Sequence, residues 1–72
     1  MSRFKPIKFD DESKRKQDIL LEEFQELERT VTKLMDESNA VDLSLRKLEE
    51  SFMWLLKAVK HEQILRQGRR IQ

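Results

Sequence analysis

The 72-residue sequence has no cysteine and no tyrosine, and only one glycine, one proline and one histidine. Without cysteine there is neither a disulfide nor a thiolate metal site, and a single histidine, His61, cannot build a zinc centre by itself. No metal and no cofactor is therefore expected. No apolar run approaches the roughly 18 residues that span a bilayer, and the first residues lack the apolar stretch of a signal peptide, so a soluble cytoplasmic protein without a membrane partner is expected. A glycine-rich phosphate loop is also missing. Acid pairs such as Glu22 with Glu23, or Glu49 with Glu50, are neighbours on a helix rather than groups facing across a cleft, and solvated surface accounts for them. The sequence accordingly predicts no enzyme.

Charged residues make up 40% of the chain, a balance that suits long exposed helices better than strands and turns. A chain this short buries too little apolar surface to be comfortable alone, and with disulfides and metal excluded, association is the support that remains. The net charge of +1 hides a segregation along the chain. Arg3, Lys5 and Lys8 open the sequence with no acid among the first nine residues, and Lys14, Arg15 and Lys16 follow. Residues 17–37 reverse the sign, with Asp18, Glu22, Glu23, Glu26, Glu28, Asp36 and Glu37 against Arg29 and Lys33.

Residues 1–9 read as an extended basic arm in which Phe4, Ile7 and Phe9 alternate with cations around Pro6, a residue that keeps its predecessor out of the helical region. Asp10 or Asp11 can cap a first helix, expected over about 11–37, whose Leu20, Phe24, Leu27, Val31 and Leu34 are spaced four, three, four and three. Ser38, Asn39 and Ala40 interrupt the pattern as a tight turn, with Asn39 suited to a left-handed helix end and Asp42 to the next cap. A second helix, expected over about 42–67, carries a matching seam of Val41, Leu45, Leu48, Phe52, Leu55 and Val59. It ends near Gly68, with Arg66, Arg69 and Arg70 beside the negative end of the helix dipole and residues 69–72 as a tail. The predicted fold is all-α, an antiparallel two-helix hairpin over residues 10–68.

Helix two is apolar beyond its seam. Leu43, Met53, Trp54, Leu56 and Ala58 project to other faces, where one partner helix cannot cover them. A homo-oligomeric helical bundle follows, with Phe52, Met53, Trp54 and Leu56 as its expected interface. Trp54 could be an interface anchor or a platform for a base, and the anchor is the commoner use. Phe9 with Lys14, Arg15 and Lys16 joins an aromatic ring to converging cations, which is what a phosphate-bearing base requires; a solvated helix start with a packing arm is the other reading. Arg46 and Lys47 stand near the start of helix two, where free N–H groups favour anions, unless Arg46 pairs with Glu49 or Glu50. His61, beside Lys57, Lys60 and Glu62, is assigned no role.

Leu48, Glu49, Glu50, Met53, Trp54, Lys57 and Ala58, within the stretch LRKLEESFMWLLKAVKHE, resemble the second helix of the phage hairpin-domain sponges that counter CBASS and Thoeris immunity. The likeness covers about residues 10–62. It implies a compact homo-oligomer, a hexamer in the anti-CBASS branch, that sequesters cyclic di- or trinucleotide messengers without cleaving them in the cytoplasm of an infected bacterium. Phe9 falls where the family places an aromatic residue of its dinucleotide pocket, whereas Gln25 stands where the family has a lysine, which shifts the phosphate contact to Lys14 or Arg15. The family's trinucleotide site, at the start of helix two, corresponds here to Asn39, Ser44 and Arg46, with Lys47 beside them. Two other functions remain open: a coiled-coil hairpin that binds a host or phage protein, and a nucleic-acid binder working through the arm and Arg66, Arg69 and Arg70. The acidic face of helix one weighs against a long polyanion.

Overall fold

A computed structural model describes residues 8–68; positions 1–7 of the expected arm, and Arg69 and Arg70 of the tail, lie outside the described residues. Two helices form, α1 over Asp11–Leu34 and α2 over Asn39–Arg66, and they pack against each other with no strand among the described residues. The particle measures 48 × 22 × 17 Å.

Asp10 is the N-cap of α1, its carboxylate accepting the Ser13 N–H at 2.9 Å while Asp11 and Glu12 add negative charge to the first turn. The helix stops at Leu34, about one turn short of the expected end, because Met35 turns to extended backbone at φ −111° and ψ 141°. No described residue other than Gly68 has a positive φ, so Asn39 does not supply a left-handed end. It is instead the first residue of α2. Ser38 caps that helix, its hydroxyl accepting from the Val41 N–H at 3.2 Å, so α2 begins three residues before the expected start. Asp42 is left within the first turn, where its charge suits the dipole.

The seam forms only in part where the spacing predicts: it rotates once in α2, and Leu27 and Leu34 of the expected α1 stripe are not covered. Leu20, Phe24 and Val31 of α1 face Val41, Leu45, Leu48, Phe52 and Val59 of α2, all half-buried or buried. Phe24 and Phe52 meet at mid-hairpin with ring centroids 5.3 Å apart and planes inclined by 55°. Phe52 thus directs its ring into the hairpin rather than outward. Leu56, expected on an outer face, is half-buried and continues the seam in the order Phe52, Leu56, Val59, Gln63, whereas Leu55 lies more exposed. The tightest packing is at the end where the chain enters and leaves: Ser13, Val59 and Gln63 are 0%, 5% and 1% exposed. Towards the turn the cover thins, leaving Leu27 48% and Leu34 75% exposed.

Candidate functional site

Gln63 sits on the last turns of α2 and is nearly sealed from solvent. Its side-chain amide holds the segment entering α1 from both sides, since Nε2 donates to the Lys8 carbonyl at 2.9 Å and Oε1 accepts the Asp10 N–H at 2.8 Å. One amide therefore satisfies two backbone groups that flank Phe9, in the manner of a strand pairing. Arg66, one turn further on, reinforces the clasp. Its guanidinium donates to both Asp10 carboxylate oxygens at 2.9 and 2.8 Å and to the Ser13 hydroxyl at 3.3 Å, and its Nε lies 2.9 Å from Glu12. Arg66 thus does more than sit at the helix C-terminus: it bridges α2 to the cap of α1.

The Ser13 N–H and the Arg66 guanidinium hold the Asp10 carboxyl below its ordinary value of 3.8. A depressed folded pKa means that this contribution to stability is fully present above the ordinary value and is lost as pH falls through the folded one. The Asp10 carboxyl should therefore titrate below 3.8 when followed by NMR, and Arg66→Gln should move its midpoint upward. An unshifted midpoint in the native chain would remove the clasp from solution.

Held in this way, half-buried Phe9 borders an open depression of about 380 Å³ whose other walls are Lys8, Lys14 and Gln17. Among the described residues, Lys8, Lys14 and Arg15 form no ion pair, whereas the other candidate cations are engaged. Lys16 reaches Glu62 at 3.3 Å, Arg46 reaches Asp42 at 3.1 Å, and Lys47 reaches Glu50 at 3.7 Å. Arg46 thus pairs back towards the start of its helix and not with Glu49 or Glu50. The Ser44 hydroxyl donates to the Ala40 carbonyl at 2.8 Å. Arg15 stands beside Lys14 in sequence but is not part of the wall with Phe9.

The antiparallel course of the helices separates the candidate residues into two groups. Phe9 and Lys14 lie at the clasped end, while Asn39, Ser44, Arg46 and Lys47 lie at the turn end. From Arg46 to Gln63 the distance along α2 is about 25 Å at 1.5 Å per residue, so one copy cannot join the two groups into a single site. Gln25 lines a separate shallow groove with Leu21, Phe24, Glu28 and Leu45, which offers a phosphate no cation. Sequence reasoning missed Ser13, Gln17 and Gln63. Continuing the α1 seam back from Leu20 by one and two turns, and the α2 seam on from Val59 by one, would have placed these polar residues on the packed face, and a polar residue in that place needs a partner.

Among the described residues no three His, Cys, Asp or Glu side chains gather as metal ligands, and no helix is long and apolar enough to cross a membrane. No family model, no curated protein and no solved structure matches the chain.

Proposed function

We propose that this chain is a non-catalytic sponge: a homo-oligomer, a hexamer by the resemblance of its second helix, that captures cyclic di- or trinucleotide messengers in the cytoplasm of an infected bacterium and so blocks CBASS-type signalling. The observation that supports this reading is the grouping of an aromatic ring, Phe9, whose flanking backbone is held by Gln63, with Lys8 and Lys14, two cations not engaged by carboxylates among the described residues. Phe9 would stack on a base, and Lys14, with Arg15 nearby, would neutralise a phosphate. The depression is open on one side, and a neighbouring copy would close it. The residues at the turn end hold less promise, because Arg46 and Lys47 would first have to leave Asp42 and Glu50.

Calorimetry of the wild-type chain against a panel of cyclic di- and trinucleotides tests this reading. Binding at a fixed ratio per protomer is expected, with Phe9→Ala weakening it by about 1–3 kcal/mol, the usual worth of one stacked base. Silence across the panel would remove the reading. The exposed apolar face of α2 favours a second one, a hairpin that docks on a host or phage protein, for which the sign would be recovery of one stoichiometric protein partner.

A further inference from the structure

Leu43, Trp54 and Leu65 of α2 are 56%, 61% and 62% exposed. Leu43 and Leu65 each stand eleven residues from Trp54. Eleven residues are about three helical turns, so the three side chains run in one line along the face of α2 opposite the seam. Between them, at steps of four, three and four in both directions, come Lys47 and Glu50 before Trp54, and Ala58 and His61 after it. The spacing reads the same towards either end of the helix. No corresponding apolar line exists on the outer face of α1, where Asp18, Glu22, Gln25, Arg29 and Lys33 stand exposed.

We infer that this face of α2 is the docking surface for a second copy of the chain, laid antiparallel, with a two-fold axis passing beside Trp54. Such an axis places residues equally distant from Trp54 opposite one another, so Leu43 of one copy meets Leu65 of the other at both ends and the two Trp54 side chains meet in the middle. Charge selects the direction. Glu50 lies four residues before Trp54 and Lys57 three after it, so antiparallel packing sets carboxylate against ammonium twice, once on each side of the axis. Lys47, seven before, comes in the same way beside Glu62, eight after; within one copy Lys47 holds Glu50 and Lys16 holds Glu62, so docking exchanges these exposed pairs for the ones between copies. A parallel pair would instead stack Lys47 on Lys47, Glu50 on Glu50 and Lys57 on Lys57. In the single copy Lys57 already lies over the Trp54 ring, 4.9 Å from its centroid, and it can keep that position while facing the Glu50 of a neighbour.

This contact deepens the self-association in the proposed function and does not depend on nucleotide binding. Because the chain has no cysteine, single-cysteine variants give an unambiguous test. Leu43→Cys and Leu65→Cys, both at exposed positions, are mixed in equal amounts and treated with a short bis-maleimide. The mixture should yield about tenfold more covalent dimer than either variant alone, since only the mixed pair brings the two thiols together. Leu34→Cys, exposed at the turn, sets the background. Self-linking of Leu43→Cys would indicate a parallel pair and overturn the proposal, as would a mixture no better than background. Trp54 is the only tryptophan and provides a second reading without any substitution: its emission should shift to shorter wavelength as concentration rises. An emission maximum independent of concentration, together with a monomeric mass, would likewise overturn the proposal. Nucleotide calorimetry on the cross-linked dimer reports on ligand capture separately, so silence there with the dimer intact removes the sponge and leaves this contact standing.

Discussion

Gln63→Leu should lower the stability of the chain by about 2 kcal/mol in a thermal melt followed by circular dichroism, although leucine is the more hydrophobic residue. The glutamine is 1% exposed, and its amide is the partner of both the Lys8 carbonyl and the Asp10 N–H. Leucine fills a similar volume and satisfies neither; a wholly buried group left unpaired costs about 1–3 kcal/mol, and these two part-buried groups together are expected to cost about 2. The arm can limit that loss by lifting off into water, so the second expected sign is faster hydrogen exchange at the Asp10 amide while exchange within the Phe24 and Phe52 region is unchanged. Gln63→Glu separates the two halves of the clasp. A carboxylate can still accept from Asp10 but can only repel the Lys8 carbonyl, so its effect should shrink as pH falls and the acid regains a donor. If Phe9 stacks on a ligand as proposed, Gln63→Leu should also weaken capture without touching the ligand. Unchanged melting and unchanged Asp10 exchange would show that the clasp contributes nothing in solution.

Trp54→Ala should leave the dilute hairpin folded and dissolve the assembly. The indole is 61% exposed in the single copy and takes no part in the seam, so its removal costs the hairpin little beyond the contact with Lys57. Two such rings meet at the inferred axis. Covering one large apolar side chain contributes about 1.5–3 kcal/mol, so losing both should raise the dissociation constant by roughly two to four orders of magnitude. Sedimentation at several concentrations measures this directly. Because association stabilises by mass action, the melting temperature of the native chain should depend on concentration, and that of Trp54→Ala should not. An assembly of unchanged mass and affinity in the variant would place the contact elsewhere.

The two helices and their mutual seam could be read from the spacing of Leu20, Phe24, Val31, Leu45, Leu48, Phe52 and Val59, because a heptad stripe has one face to bury and a short turn leaves one neighbour to bury it against. The helix ends were harder to read. Ser38, Asn39 and Asp42 are all competent caps, and the choice among them is made by where the backbone turns extended at Met35, which no propensity fixes. Leu55 and Leu56 are adjacent leucines, and whichever faces α1 depends on a few degrees of helix rotation. The clasp was the least legible part. Gln63 and Arg66 lie more than fifty positions from Lys8 and Asp10, and pairing over that separation becomes visible only once the hairpin has closed. At the candidate site, the sequence brought Phe9 and Lys14 forward together and left open whether Arg46 would pair along its own helix, but the spacing did not choose Asp42 as its partner over Glu49 or Glu50.

A helical hairpin is usually pictured as firm at its bend and frayed at its free ends, and this one has the opposite gradient. Around the bend, Leu34 and Met35 are 75% and 57% exposed, while Ser13, Val59 and Gln63 at the far end are almost wholly covered. Local opening should follow cover rather than connectivity. The last turn of α1 and the first of α2 would then unwind while the far end stays closed, and among the described residues a protease would cut the stretch between Met35 and Ser38 long before the segment beside Gln63.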